Sequence, residues 1–171
     1  NSYYFFMRHV IYIFLGLILI IFFSATQESS VYKIAIVFFI IFFISLLFVP
    51  FFGVEVKGSK RWLEFSILPR FQPIEFLKPF LIIFLSLIIG ARFTSNNYFK
   101  FLLSAIFVLP TLILLILQPD IGQTLLILFT WSILIFTSGI NIIFLSILFL
   151  ILIFCFSFLI IFVPKFDYIK N

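Results

Sequence analysis

Ile34–Phe52 reads IAIVFFIIFFISLLFVPFF, nineteen residues without a single charge. Wound as an α-helix at 1.5 Å per residue, such a run measures about 28 Å, close to the hydrocarbon thickness of a bilayer. It is too long for a strand and lacks the alternation of apolar and polar positions that a half-buried strand needs. Lys33 stands at its entrance and Pro50 near its exit. The stretch predicts a transmembrane helix.

Working outward, the same reading repeats along the chain. Apolar spans fall at about 5–24, 33–52, 73–90, 101–117, 121–137 and 142–163, separated by Ser24–Ser30, Gly53–Gln72, Gly90–Lys100, Gln118–Gly122 and Ser138–Asn141. Pro110 predicts a kink in the fourth span. The fold class expected is all-α, a polytopic helical membrane protein with six transmembrane helices forming one domain over 1–171. Composition agrees: 65% of the residues are hydrophobic and 10% charged, against about 25% charged in a soluble domain. So little charge excludes a soluble globular protein, a disordered chain and a coiled coil. The chain begins at Asn1, its one Met is Met7, and it stops at Ile169-Lys170-Asn171 just after a span. Both ends read as cuts in a longer membrane protein.

With so few charges, each one is informative. The net charge of +5 suits anionic partners such as lipid headgroups or pyrophosphates. The densest polar stretch is GSKRWLEFSILPRFQPIEFLKPF, Gly58–Phe80. In it, Lys60 and Arg61 can grip a phosphate, Arg bidentately and Lys as a point charge. The same pair beside Trp62 also reads as an interfacial anchor, with the cations snorkelling to headgroups. Gln72-Pro73-Ile74-Glu75 opens a helix, with Pro73 at the first helical position and Glu75 able to accept from free backbone N–H groups. Glu75 and Lys78, three apart, share a helix face and can pair. An ionisable residue as far into an apolar helix as Lys78 is expected to face the protein or a wet cavity. Asp120, in the Gln118–Thr124 break, can cap the fifth helix or pair with Lys78 or Arg61.

Other chemistries find no support. No phosphate loop, dinucleotide fingerprint, metal-ligand spacing or nucleophile triad occurs. Cys155 is the only cysteine, so no intrachain disulfide can form, and its place in an apolar run reads as packing. His9, also single, reads as interfacial. No feature points to nucleic acid.

The segments YYFFMRHVIYIFLGL (Tyr3–Leu17), GSKRWLEF with RFQPIEFLK (Gly58–Lys78), LQPDIGQTLL (Leu117–Leu126) and SGIN (Ser138–Asn141) together resemble the SEDS family of bacterial cell-wall proteins, to which FtsW and RodA belong. FVPKFDYIKN, at the end of the chain, resembles that family's entry to its large extracytoplasmic loop. The QPDIGQT form and SGIN lean toward the FtsW branch. The resemblance implies a multi-pass protein of the bacterial inner membrane that polymerises lipid II into glycan at the septum and releases undecaprenyl pyrophosphate. It further implies a class B penicillin-binding transpeptidase and other divisome proteins as partners. The chain would span roughly the second to the seventh of about ten helices. Arg61, Lys78, Glu75, Asp120, Lys60 and Gln72 are the implied substrate-binding residues, the carboxylates positioning the cations or holding a divalent cation, the one cofactor in view. The family's Ser in QPSE is Ile74 here, and its catalytic Asp would lie beyond Asn171, so no catalytic residue and no metal ligand is assigned. A lipid II flippase, or a non-catalytic membrane scaffold, fits the same residues.

Orientation is where the two lines of reading part. Six spans place Arg8, Lys57, Lys60, Arg61, Arg70, Lys165 and Lys170 on one side, and only Lys33, Arg92 and Lys100 on the other. The positive-inside rule would put the first group in the cytoplasm. The resemblance puts Gly53–Gln72 outside it, where an anionic substrate accounts for Lys60, Arg61 and Arg70, which belong to or border the motif loop. The extracytoplasmic placement is the expectation carried forward.

Overall fold

A computed structural model describes residues 2–56, 59–64, 70–90, 96–144 and positions 146, 147, 150, 151 and 154. Among the described residues, five helices and one hairpin are delimited in order: α1 (Ser2–Ala25), α2 (Glu28–Phe52), β1 (Val54–Val56), β2 (Ser59–Trp62), α3 (Pro73–Gly90), α4 (Asn97–Leu117) and α5 (Ile121–Thr137). Four of the helices, α1 to α4, are long and apolar enough to cross a bilayer. At 17 residues, α5 sits at the short end of the spanning range. The chain is a polytopic helical membrane protein. Positions 142–144 are helical, but most of the expected span 142–163, with Cys155 and the FVPKFDYIKN segment, lies outside the described residues.

The packed bundle is α2 to α5. Its buried positions recur at helical spacing: Ile74, Leu77, Leu81 and Leu85 on α3, and Ala105, Val108, Leu112 and Leu115 on α4. Facing them are Phe39, Leu46 and Val49 of α2 and Ile127, Trp131 and Ile135 of α5. Lipid chains are as apolar as leucine, so close packing and polar bonds between helices hold such a bundle together. Phenylalanine supplies much of that packing. Between α2 and α3 the rings of Phe38 and Phe80, Phe39 and Phe84, and Phe42 and Phe76 stack with centroids 5.0, 4.4 and 5.2 Å apart. Between α4 and α5 the Trp131 indole donates to the Ser104 hydroxyl at 2.9 Å, a bond buried in the bundle. By contrast, no residue of the apolar window of α1 is buried.

One departure from an all-α molecule is found in the polar segment after α2. Val54–Val56 and Ser59–Trp62 pair antiparallel, and Leu63 and Phe71 exchange backbone bonds of 2.9 and 3.1 Å. Strand-favouring Val54, Val56 and Trp62 stand among polar residues there, and the runs are too short to compete with the helical spans in a pattern search. The sharp exit from α2 uses Gly53, whose N–H bonds the Val49 carbonyl at 2.8 Å. A Cβ at Gly53 would collide with that carbonyl oxygen, so the close approach needs glycine.

Candidate functional site

The hairpin, the start of α3 and the start of α5 meet at one end of the bundle. The pairing Val54–Trp62, Glu55–Lys60 and Val56–Ser59 skips Arg61, which is therefore the extra residue of a β-bulge. Bulges bend a strand and re-aim the side chain they carry. Here the chain reaches the break between α4 and α5: Arg61 Nε donates to the Gln118 carbonyl at 3.1 Å and Nη2 to the Pro119 carbonyl. Nη1 stands 3.8 Å from Asp120 Oδ1. The other carboxylate oxygen of Asp120 accepts from Gln72 Nε2 at 2.8 Å.

Asp120 is the N-cap residue of α5 by position, but its carboxylate makes no capping bond. That expectation is corrected: the carboxylate turns instead to the Gln72 amide and to the positive charge of Arg61, an attraction that neutral backbone N–H groups do not offer. Of the two cations considered for it, the structure pairs Asp120 with Arg61, and Lys78 goes elsewhere. Its backbone carbonyl still starts the helix, accepting from Thr124 N at 3.1 Å and from the Thr124 hydroxyl at 2.7 Å.

A second cluster lies one turn further along both helices. Lys78 Nζ donates to Glu75 Oε2 at 2.6 Å and to Gln123 Oε1 at 2.9 Å, and Gln123 Nε2 donates to Glu75 Oε1 at 2.6 Å. The Glu75–Lys78 pair is the one the spacing predicts. The first-turn acceptor role expected of Glu75 is not what its side chain does, because both oxygens are taken by Lys78 and Gln123. Lys78 is largely buried, whereas Glu75 is half-exposed. Gln123 was not among the predicted residues. Its signal was the shared spacing of three between Gln72 and Glu75 and between Asp120 and Gln123, each pair at the start of a helix.

Beside these clusters opens a cleft of roughly 330 Å³ lined by Pro50, Glu55, Ser59, Lys60, Leu117, Gln118 and Pro119. Lys60 and Glu55 face each other across the hairpin, and Lys60 is exposed. Gln118 is buried, and its side-chain amide has no hydrogen-bond partner among the described residues. Arg70, on the border of the motif loop, pairs instead with Glu64 at 2.8 Å. No group of three or more His, Cys, Asp or Glu comes together among the described residues. Every predicted site residue, Lys60, Arg61, Gln72, Glu75, Lys78 and Asp120, thus lies at this end. Arg61, Gln72 and Asp120 form one cluster, Glu75 and Lys78 the other, and Lys60 the rim of the cleft.

An apolar helical bundle that carries two hydrogen-bonded polar clusters, Arg61–Gln72–Asp120 and Glu75–Lys78–Gln123, at one end belongs to the class of polytopic membrane proteins. The sequence profile of the FtsW, RodA and SpoVE cell cycle proteins matches residues 1–170. The chain belongs to that family. It is 33% identical over 141 residues to the probable peptidoglycan glycosyltransferase FtsW of Haemophilus influenzae, covering 81% of this chain and 36% of that protein. Its identity to the protein of the same description from Xanthomonas oryzae pv. oryzae is 32% over 132 residues, 75% of this chain and 27% of the other. Among solved structures, the rod shape determining protein RodA of Thermus thermophilus superposes with a TM-score of 0.69 at 27% identity, over 82% of this chain and 46% of that one. A chain of a peptidoglycan synthase complex superposes with a TM-score of 0.77 at 24% identity, a likeness of fold. The chain spans about a third of the length of the curated relatives and about half of the solved chains.

Proposed function

We propose that the chain forms the pyrophosphate-binding end of a peptidoglycan glycosyltransferase of the FtsW type, acting on lipid II in the bacterial cytoplasmic membrane. The observation that carries this reading is the pair of clusters at the entries of α3 and α5, set beside a cleft whose rim carries Lys60. A lipid-linked pyrophosphate needs an apolar body for its chain and cations at headgroup depth. The bundle supplies the first and this end supplies the second. Descriptions of the relatives as peptidoglycan glycosyltransferases support the substrate class.

The geometry divides the work among the cations. Arg61 spends Nε and Nη2 on the two carbonyls of the break and faces Asp120 with Nη1, so it acts chiefly as the clamp that shapes the cleft. Lys78 has three N–H groups and donates two of them within its cluster, leaving one for a ligand oxygen. Lys60 is the exposed cation at the rim. Polymerisation itself, and assembly with a class B penicillin-binding transpeptidase and other divisome proteins, are proposed for the whole protein. The site end is taken to face the outside of the cytoplasm.

The test is binding of a polyprenyl pyrophosphate by the chain in lipid nanodiscs. Lys78→Met is expected to weaken binding at least about tenfold, a loss of ~1.4 kcal/mol, and Lys60→Ala less. Equal affinity of the wild type and Lys78→Met would overturn the proposal.

A further inference from the structure

The two clusters repeat one arrangement with its polarity reversed. Gln72, at the entry of α3, gives its amide to the Asp120 carboxylate at the entry of α5 (2.8 Å), and Gln123 of α5 gives its amide back to the Glu75 carboxylate of α3 (2.6 Å). Each rung is an amide–carboxylate bond between the same two helices, and each carboxylate carries one cation, Arg61 on the first and Lys78 on the second. In the second rung Gln123 does more than bridge. Its carbonyl accepts from Lys78 Nζ at 2.9 Å while its amide holds Glu75, which closes a ring of three side chains.

We infer that Gln123 is a positioning residue that fixes the Lys78 ammonium by closing this ring with Glu75. A Glu three residues before a Lys on a helix makes only a loose pair, since both side chains keep several rotamers. Gln123 approaches from a second helix and removes that freedom. It occupies one carboxylate oxygen of Glu75, so Lys78 is held by the other oxygen alone. It takes a second Lys78 proton from a fixed direction, and the third proton is left pointing one way. The neutral amide does this without placing a second negative charge beside the ammonium, as a carboxylate at the same position would. The use of that proton by a pyrophosphate rests on the proposed function; the ring does not.

The experiment reads the ring directly. The whole chain, labelled with ¹⁵Nζ-lysine, is placed in nanodiscs. Free lysine ammonium protons exchange with water too fast to give an Nζ–H resonance near neutral pH, whereas a held ammonium gives one. The wild type is expected to show a resonance that Lys78→Arg deletes and that Gln123→Leu also loses. The exchange Glu75→Gln with Gln123→Glu reverses the rung, keeps one amide and one carboxylate beside Lys78, and is expected to retain it. Should Gln123→Leu fail to fold, the exchanged pair decides alone, retention supporting the ring and loss overturning it. No Lys78 resonance in the wild type, or one that survives Gln123→Leu, overturns the inference. Affinity for polyprenyl pyrophosphate is measured on the same samples. A resonance lost in Gln123→Leu together with wild-type chain that binds no lipid leaves the ring standing and rejects the substrate reading instead.

Discussion

Arg61 shows how much one side chain can decide here. It joins a hairpin that follows α2 to a break that precedes α5, through two backbone carbonyls and a carboxylate. A guanidinium can do this because its donors form a rigid fork, whereas an ammonium is a single point. Arg61→Lys is therefore expected to destabilise the chain by about 1–3 kcal/mol, the range for hydrogen bonds to charged groups reduced by the partial exposure of the arginine. Unfolding of the reconstituted chain by a denaturing detergent measures it, and an unchanged midpoint would show that the clamp contributes nothing. Both the cation and the acid were legible in the sequence. What joined them was not, because Asp120 had several acceptable partners on paper and only the bulge in β2 aims Arg61 at it.

At the scale of elements, the helices α1 to α5 were legible as helices because nothing else satisfies the backbone of a long apolar run in lipid. The hairpin was not: seven residues in two short strands leave no periodic signal strong enough to oppose a loop reading. Two expectations belong here. Gly53→Ala would push a methyl group against the Val49 carbonyl and force the end of α2 to shift, at about 1–3 kcal/mol by analogy with overpacked cores. Thermal unfolding should show the loss, together with a looser hairpin in amide exchange. Trp131→Phe removes the indole bond to Ser104 while Ser104 keeps its own bond to the Phe101 carbonyl. Bonds between helices in bilayers average ~0.6 and reach ~1.7 kcal/mol, so a loss within that range is expected in the same assay. A larger loss would mean that the indole ring, stacked on Phe101, matters more than its N–H.

For the whole molecule the prediction concerns direction across the membrane. Counting cations puts the hairpin end in the cytoplasm; family resemblance puts it outside. The structure bears on the count, because Arg61 and Arg70 are engaged with Asp120 and Glu64, so they are poor reporters of orientation. Ser59→Cys, at the hairpin beside the cleft, is expected to react with a membrane-impermeant thiol reagent added from outside the cytoplasmic membrane, in a background where Cys155 is replaced by Ser. Labelling from the cytoplasmic side alone would invert the placement.

Sequence by itself determined that this is a helical membrane protein and which few polar residues stand between its apolar runs. That follows from the cost of burying charge in lipid, which confines ionisable groups to places a reader can pick out. The tertiary structure alone decided who holds whom. Arg61 takes Asp120, Gln72 shares it, and Gln123 completes the Glu75–Lys78 pair. Partners 45 or more residues apart along the chain meet only because α3 and α5 start side by side, and helix packing rather than any local pattern sets that.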